Sequence, residues 1–488
     1  MTETKQKIEP QPSNWFRKIV TGGYRTILIL LITGLSCGRA TCAEPLKLLF
    51  STSQDITNTW GKLHFGVTPV RLIREAKHPG FPFVGGFPRP DGTWEVFGQQ
   101  MTEIKPGDET RRVMVWKLLR ASTRDGATME NVETVFESEP AAWTEHFAIA
   151  RNADSGEYLA LKLKVDNNGF AYTAFFSPDG KRWAAHSGNP LFYDGDVMSL
   201  FWSKALRRFV VVSKSFQQVP GGAKRIVDHG GKNRRVLTLR SSPDGRAWDP
   251  SDSLQDVWNR SGRAQLRPDT ALTAPDSNDP PDLEFYSGNA FWYHDRAYMK
   301  VLNYAASPLA PRKHGPQLDN EWWTSRDGLR WERPARGVDA LELFPNIPRL
   351  ETHQMILDGK LLFPRGHLLL GLPQDRISFV SSRANAEFST AAFQMPQADL
   401  CLNAAVPSPD RAFGAQQGYV MVAALDDKGE VVPGFEREKC IIQNADKTDL
   451  PLRWGDKSAR ELAGRNIRLR FSLRSANIYA VTSASNNS

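Results

Sequence analysis

The distribution of apolar and polar residues along the chain predicts strands rather than helices. Between residues 159 and 165, four apolar side chains alternate with Ala160, Lys162 and Lys164, which predicts a half-buried strand. Residues 208–213 (RFVVVS) form an apolar run of the kind found in strands covered on both faces. No long stretch has the 3.6-residue period of an amphipathic helix. We therefore expect an all-β protein.

A turn containing Asp-Gly recurs along the first three quarters of the chain. It reads SPDGKRW at 177–183, SPDGRAW at 242–248 and SRDGLRW at 325–331, with weaker copies TRDGA at 123–127 and PDGTW at 90–94. Asp-Gly favours hairpins because glycine accepts a positive φ and the aspartate bonds nearby main-chain N–H groups, and the tryptophan can cover the hairpin. The aspartates at 125, 179, 244 and 327 are 54, 65 and 83 residues apart. Such intervals predict one four-stranded sheet per repeat, as in a β-propeller.

The sequence pattern changes near residue 390, because the Asp-Gly turns followed by tryptophan do not recur after it. The segments 419–425 and 467–473 are strand-like, and the second alternates apolar residues with arginine and serine. About 95 residues with this pattern fit one β-sandwich. We therefore predict a propeller over residues 44–390 and a sandwich over 391–488.

The turns resemble degenerate Asp-boxes of secreted bacterial propeller proteins related to family 32 and family 43 glycoside hydrolases and, more distantly, to sialidases. The C-terminal segments GYVMV at 418–422, LDDKG at 425–429 and LAGRNIRLRFSL at 462–473 are similar to the sandwich that follows such propellers. The resemblance implies a five-bladed β-propeller followed by a β-sandwich, with a glycan as substrate. The WMNDPNG, RDP and EC motifs of invertase-type enzymes are missing from this sequence. No specific substrate is therefore carried over.

Acidic residues precede an apolar, strand-like segment in four successive repeats. They are Glu145 with His146, Asp194 and Asp196, Asp282 and Glu284, and Glu351 with His353. In a propeller, the starts of the innermost strands converge on the central channel, so we expect these side chains to meet there. Glycosidic cleavage needs two carboxyl groups, one as proton donor and one as nucleophile or base.

The strongest single candidate is the segment from Asp282 to Tyr286. Alternate residues of a strand face the same side, so Asp282, Glu284 and Tyr286 would line one surface. We predict Asp282, Glu284 and Asp196 as catalytic residues. Alternatively, Asp279 and Asp282 cap a turn, Glu284 pairs with an arginine, and Asp196 is an ordinary loop carboxylate.

Further polar and aromatic residues are candidates for substrate binding. The predicted set is Glu145, His146, Tyr286, Glu351, His353 and Arg365. Arg74 and His367 are weaker candidates, because surface or inter-sheet ion pairs also account for such residues. Trp60, Trp202, Trp292 and the Trp322-Trp323 pair offer faces on which sugar rings stack, although most tryptophans should serve the core.

These observations leave three functions open. The first is a glycoside hydrolase with paired carboxylates in the channel. The second is a non-catalytic propeller that binds a glycan or a protein, and the third is a sialidase-like exo-glycosidase.

The first 43 residues read as a cleaved secretory signal. Five basic residues precede the apolar run 26–35 (TILILLITGL), which would span about 15 Å as a helix, half a bilayer core. We predict cleavage after Ala43 and export to the periplasm or beyond, with a retained membrane anchor as the alternative. Residues 1–43 hold six basic and two acidic residues, so their removal lowers the net charge from +8 to +4.

The remaining charge and cysteines exclude several function classes. The short basic segment 232–235 (KNRR) reads as a solvated turn, and nothing favours nucleic-acid binding. Cys401 and Cys440 remain after the signal; they form a disulfide or are two buried thiols on neighbouring strands. No ligand spacing predicts a zinc or calcium site, so we expect no cofactor. We expect a monomer that binds carbohydrate and, once the signal is removed, no membrane.

Overall fold

The fold was analysed in a computed structural model. It describes residues 45–75, 81–105, 113–140, 146–166, 169–218, 233–249, 272–280, 283–305, 317–341, 354–365, 367–407 and 417–483. Within these ranges the chain is all-β: the helices are short 3₁₀ turns, at Ser53–Asp55, Arg437–Lys439 and Ala459–Leu462. No helix in the described ranges is long and apolar enough to cross a membrane.

Five antiparallel sheets occupy the chain from residue 83 to residue 373. Sheet 1 contains β5 (Phe83–Pro88), β6 (Trp94–Lys105), β7 (Val113–Thr123) and β8 (Glu130–Glu137). Sheet 2 contains β9 (His146–Arg151), β10 (Tyr158–Asp166), β11 (Gly169–Ser177) and β12 (Ala184–Ala185), with β13 (Phe192–Asp194) also paired to β11. Sheet 3 contains β14 (Met198–Ser203), β15 (Arg208–Gln218), β16 (Asn233–Ser242) and β17 (Leu272–Thr273).

Sheets 4 and 5 follow in the chain, and sheet 5 also contains one strand from near the N-terminus. Sheet 4 contains β18 (Leu283–Tyr293), β19 (Arg296–Ala305) and β20 (Gln317–Ser325). Sheet 5 contains β21 (Met355–Leu357), β22 (Lys360–Arg365), β23 (Leu368–Pro373) and β4 (Arg71–Glu75). Sheet 5 is thus completed by a strand that lies about 290 residues earlier in the chain than its partner β23.

The first strands of the five sheets lie next to one another. β5 contacts β9, β9 contacts β14, β14 contacts β18, and β21 contacts β5. A separate hydrophobic core lies between each pair of successive sheets, and another lies between sheets 5 and 1. Representative buried pairs are Phe97 with Ile149, Leu161 with Leu200, Val210 with Phe285, Phe291 with Phe363, and Val96 with Leu362. Each of these sheets therefore shares a hydrophobic core with the next, and sheet 5 shares one with sheet 1.

Four of the Asp-Gly turns, one in each of sheets 1 to 4, pack against the preceding sheet of the series. Gly126 of sheet 1 lies against Leu362 of sheet 5, Gly180 of sheet 2 against Phe97 of sheet 1, Gly245 of sheet 3 against Leu159 of sheet 2, and Gly328 of sheet 4 against Phe201 of sheet 3. At Gly245, φ is +78° and a Cβ atom would lie 2.7 Å from Leu159 Cδ2. Glycine is required there both by the backbone conformation and by the close approach. Trp248 covers this turn and donates a hydrogen bond from Nε1 to Gly245 O at 3.0 Å.

Replacing Asp244 by alanine tests the stabilising role of these turns. Asp244 accepts hydrogen bonds from the main-chain N–H of Arg246 and of Ala247 and from the Ser242 hydroxyl. We expect Asp244→Ala to lower the free energy of unfolding by about 1–2 kcal/mol at pH 7 in urea titrations. Burial raises the pKa of Asp244, but these hydrogen bonds outweigh it and hold the pKa below its usual range. The stabilisation is therefore present above pH ~4 and lost as the pH falls through the lowered pKa, so the two proteins should converge in acid. Asp427→Ala, in an exposed turn, is the control, and an equal loss in both variants would contradict the prediction.

Two further sheets enclose one core. Sheet 6 contains β3 (His64–Val67), β24 (Ser378–Ser382), β34 (Ala476–Ser483), β27 (Leu400–Val406) and β30 (Ala445–Pro451), with β1 (Lys47–Leu49) on β34. Sheet 7 contains β2 (Thr57–Trp60), β25 (Ala386–Ser389), β33 (Asn466–Arg474), β28 (Tyr419–Leu425) and β29 (Ile441–Ile442), with β26 (Phe393–Gln394) on β33. A two-stranded ribbon pairs β31 (Arg453–Trp454) with β32 (Lys457–Ser458). Side chains of both large sheets, among them Leu402, Ile478, Val422 and Phe471, form the shared core.

The structure differs from the sequence-based expectations in three respects: the division between the sheets, the burial of one strand and the placement of the cysteines. Strands β1 to β3 and β24 to β25 pair within sheets 6 and 7, so the division expected at residue 390 does not coincide with the sheets. The predicted strand at 159–165 exists, but Lys162 is only 6% exposed, so this stretch is not half-buried as expected. Cys401 and Cys440 are both free and lie on or beside strands of different sheets, so they neither form a disulfide nor occupy neighbouring strands. The continuous run at 208–213 is confirmed as a buried strand.

Candidate functional site

Several residues predicted from the sequence meet where strands β14 and β18 begin. Five side chains form what we call the carboxylate cluster: Asp196, Lys214, Arg235, Glu284 and Tyr286. They come from sheets 3 and 4 and from the segment that enters sheet 3. The cluster therefore joins residues up to 90 positions apart in the sequence.

Asp196 is the accessible carboxylate of the cluster. Its Oδ1 lies 2.6 Å from Lys214 Nζ, and the two side chains are 34% and 5% exposed, respectively. The preceding Gly195 packs directly on the main chain of β15, where a Cβ atom would lie 1.6 Å from Lys214 O. No other residue fits at 195, so the turn before β14 is held against β15 and Asp196 is placed beside Lys214.

Glu284 is the buried carboxylate of the cluster. Its Oε2 lies 2.8 Å from Arg235 Nη1 and accepts a second bond from the Arg235 main-chain N–H at 3.3 Å. The two side chains are 4% (Arg235) and 2% (Glu284) exposed. This arrangement is the ion pair with an arginine that the sequence left open as an alternative for Glu284. Because a buried ion pair needs a fixed geometry, Glu284 holds the Arg235 guanidinium in one position.

Two stacked tyrosines connect the halves of the cluster. The rings of Tyr286 and Tyr304 stack with centroids 6.0 Å apart. Lys214 Nζ lies 4.3 Å from the centroid of Tyr286, and the Arg235 guanidinium carbon lies 5.3 Å from it. A register shift between Phe285 and Ser287 interrupts the strict alternation expected along β18. Tyr286 lies at this bulge and is half-buried, with both cations near its ring.

Asp194 does not belong to the carboxylate cluster and has a structural role. Its side chain is fully buried and lies 3.1 Å from Arg240 Nε, while Ser213 donates a hydrogen bond to it at 2.7 Å. The neighbouring Tyr172 donates from its hydroxyl to Gly195 O at 2.7 Å. Burial raises the pKa of Tyr172, and the charges of Asp194 and Asp196 raise it further. The phenol therefore stays protonated and braces the turn that carries Asp196.

The other predicted residues do not all join the cluster. Asp282, Glu145, Glu351 and His353 lie outside the described residues, as does the side chain of Arg365 at the end of β22. His146 starts β9 opposite Leu163, with its ring 6.4 Å from that of Trp116. His367 is exposed, and Arg74 forms an exposed ion pair with Asp125 of sheet 1. Asp279 accepts a hydrogen bond from the main-chain N–H of Asp276 at 2.9 Å, which is the turn cap that the alternative predicted, and it also pairs with Arg333.

The tryptophans proposed as stacking faces divide into three groups. Trp322 and Trp323 are fully buried core residues. Trp60 is 62% exposed and lies on β2 of sheet 7. Trp202 and Trp292 lie near the ends of β14 and β18, away from the carboxylate cluster, and line a cavity there.

Three residues of the site were missed by the sequence-based reasoning. The basic segment at 232–235 was expected to be a solvated turn, but Arg235 lies within β16 and is 3% exposed. Lys214 follows the apolar run of β15 and is 4% exposed, and Tyr304 lies on β19. A charged residue that directly continues a buried strand is the available signal, because such a charge must find a partner inside the protein. In the described ranges, no group of three or more His, Cys, Asp or Glu residues is arranged to hold a metal ion.

Comparison with known proteins gives a structural similarity and no sequence match. No protein-family model and no characterised protein sequence matches the chain. A structure from the GH130 family of mannoside phosphorylases, a family that contains glycoside hydrolases targeting β-1,2-mannosidic linkages in Candida mannan, is 11% identical over 67% of this chain and 95% of its own, with a TM-score of 0.37. The GH32 β-fructofuranosidase BmSUC1 of Bombyx mori is 10% identical over 86% of this chain and 93% of its own, with a TM-score of 0.35.

A third similar structure comes from a marine bacterium. The family 117 glycoside hydrolase Zg3597 of Zobellia galactanivorans is 11% identical over 56% of this chain and 75% of its own, with a TM-score of 0.31. The names of these three structures refer to three different glycoside hydrolase families, GH130, GH32 and family 117. At such low identities and TM-scores, residue roles are not transferred from them.

Proposed function

We propose that the protein is an exported glycoside hydrolase whose site lies at the mouth of a five-bladed β-propeller. Sheets 1 to 5 would be the blades, and sheets 6 and 7 a β-sandwich. The blade assignment is supported by the adjacent first strands, by the core shared between sheets 5 and 1, and by the Asp-Gly turns that dock on the preceding sheet. Export rests on the N-terminal sequence, with residues 1–43 as the removed leader.

The observation that carries the proposed activity is the convergence of Asp196 and Glu284. They lie 88 positions apart in the chain, yet their ion-pair partners Lys214 and Arg235 both lie near the ring of Tyr286. The polar cluster at the start of β14 and β18, with the accessible carboxylate of Asp196, supplies one of the two carboxyl groups that glycosidic cleavage requires.

Their burial assigns different roles to the two carboxylates. The side chain of Asp196 is one-third exposed, so it can contact a substrate and act as a catalytic carboxyl group. Glu284 is enclosed and ion-paired, so we propose that it is a positioning residue that fixes Arg235 beneath Tyr286. The second reacting carboxyl group is then Asp282, two positions before Glu284. One of the pair protonates the glycosidic oxygen as the bond to the anomeric carbon breaks, and the other attacks that carbon or activates water.

Hydrolysis of a panel of plant, algal and host glycans tests this assignment. We expect Asp196→Asn and Asp282→Asn each to lower kcat by about 10²–10⁴-fold with unchanged folding, because each removes a proton-transfer group or nucleophile. Glu284→Gln should raise KM and alter kcat less, since it loosens Arg235 without removing a reacting group. The control Asp427→Asn, on an exposed turn, should have wild-type activity.

Two outcomes would overturn the proposed activity. Full turnover by Asp196→Asn would remove that residue from the chemistry. Glycan binding without turnover by the wild-type protein on every substrate would favour the non-catalytic binding propeller instead.

A further inference from the structure

A cavity of about 600 Å³ lies at the other end of the inner strands from the carboxylate cluster. The last residues of β5, β9, β14 and β18 line it, together with Ile356 of β21, so all five sheets contribute. Along β14 and β18, the cavity residues Trp202 and Trp292 lie six and eight positions after Asp196 and Glu284. At the rise of a strand, this separates the two sites by about 20 Å or more. The cavity is therefore a distinct place, within the size range of small-molecule sites.

Aromatic side chains form much of the cavity wall and are held in position. Trp292 donates from Nε1 to His294 O at 2.7 Å, and Trp202 packs edge-on against Phe209 with centroids 4.8 Å apart. Phe87 of β5 is half-buried and adds a third ring. Fixed indole faces bind the C–H face of a sugar ring with little loss of side-chain entropy.

The charged residues that line the cavity are cationic. Arg151 and Lys204 are exposed at its rim, and no Asp or Glu is among the described residues that line it. Arg151 is oriented by a hydrogen bond from Nε to Gly156 O at 3.2 Å and by the ring of Tyr158, whose centroid is 5.2 Å from the guanidinium carbon. A guanidinium fork held in this way suits a carboxylate or sulfate.

Nearby acidic residues are neutralised by other arginines. Asp154 lies 2.9 Å from Arg207 Nε, and Glu157 lies 3.2 Å from Arg246 Nη2. The positive potential of Arg151 and Lys204 at the rim is therefore not cancelled by these acids.

Amide groups of the lining favour a hydroxylated ligand. Asn152 uses its Oδ1 for the N–H groups of Asp154 and Ser155, which leaves its NH₂ group as a donor. Gln354 donates weakly to Trp292 O at 3.4 Å, and no described residue donates to its Oε1. A ring bearing several hydroxyl groups pairs with such amides, whereas a purely aromatic acid would leave them unsatisfied.

We propose that this cavity is a second ligand site that binds an acidic sugar, a pyranose ring carrying a carboxylate or sulfate group. The ring stacks on the half-buried aromatic faces of Trp292 and Phe87, and the anionic group contacts Arg151 and Lys204 at the rim. The inference is independent of the hydrolase activity, because it uses no residue of the carboxylate cluster.

Titration calorimetry of the full-length protein with D-glucuronate, D-glucose 6-sulfate and D-glucose at low ionic strength tests the site. We expect one or both anionic sugars to bind and D-glucose to bind at least about tenfold more weakly, because it lacks the charged group. Whichever anion binds identifies the carboxylate or the sulfate as the preferred group. Binding should weaken as salt is added, since the rim cations are exposed.

Substitutions locate the binding. The double variant Arg151→Gln/Lys204→Gln should weaken binding of the anionic sugar by about 10- to 100-fold. The matched control Lys428→Gln/Arg460→Gln removes two exposed charges on the sheets 6 and 7 side and should have no effect. Asp196→Asn should also leave this binding unchanged, which separates the cavity from the proposed active site.

Three results would overturn the proposal. They are equal binding of D-glucose and the anionic sugars, no binding of any of the three, and binding that is lost in Asp196→Asn but kept in the Arg151/Lys204 double variant.

Discussion

Asp194→Ala is expected to lower the free energy of unfolding by about 3–5 kcal/mol, because it leaves the Arg240 guanidinium buried without its carboxylate. Both side chains are 0% exposed, and Arg240 Nε lies 3.1 Å from Asp194 Oδ2. Ser213 and the main-chain N–H of Gly195 also donate to the Asp194 carboxylate, so three donors lose their acceptor. Urea titration followed by tryptophan fluorescence measures the change.

Two comparisons make this expectation specific. Asp154→Ala removes an aspartate from an exposed pair with Arg207, whose side chains are 45% and 73% exposed, and should cost at most about 1 kcal/mol. The double variant Asp194→Leu/Arg240→Met removes both charges and should recover much of the loss, because no uncompensated charge stays buried. A loss of similar size in Asp154→Ala and Asp194→Ala would show that burial of the pair does not matter.

Trp322→Ala is expected to have an effect of similar size for a different reason. The indole is 1% exposed and packs against Phe291, Tyr298 and Phe363, with ring centroids 6.1, 6.5 and 5.9 Å away. Its removal leaves a cavity between sheets 4 and 5, which should cost about 3–5 kcal/mol in the same titration.

The same substitution at an exposed position is the matched control for Trp322. Trp60 is 62% exposed at β2, and Trp60→Ala should change the unfolding free energy by no more than about 0.5 kcal/mol. A loss of no more than about 0.5 kcal/mol in Trp322→Ala would contradict the prediction. It would mean that the interface between sheets 4 and 5 repacks to fill the cavity left by the indole.

Local features of the fold were predictable because they depend on neighbouring residues. Alternation and continuous apolar runs identified strands, and Asp-Gly identified the turns, where the aspartate side chains bond the main-chain N–H groups as expected. The pairing of distant strands was not predictable. Nothing in the short segments of β1 to β4 shows that their partners lie beyond residue 367, since antiparallel pairing uses main-chain groups that every residue has.

The sequence indicated the acidic residues and the tyrosine of the carboxylate cluster, but it did not indicate the two basic residues. Asp196, Glu284 and Tyr286 were found from their positions before or within apolar segments. Lys214 and Arg235 were not, because a basic residue in a polar neighbourhood looks the same in sequence whether it is solvated or buried. Glu284 also shows that a carboxylate at the start of a strand can be buried in an ion pair with an arginine. Whether such a carboxylate is accessible or buried is revealed only by the packing between sheets.

The pairing of N-terminal strands with strands late in the sequence has a consequence for biosynthesis. β4 pairs with β23 (Leu368–Pro373) and β1 with β34 (Ala476–Ser483), so these early segments acquire their partners only after several hundred further residues have been synthesised. Pairing over such sequence distances slows folding, because the chain must first be brought together. Until then the main-chain groups at these strand edges are unpaired, and chaperones that shield the edges should raise the yield of folded protein.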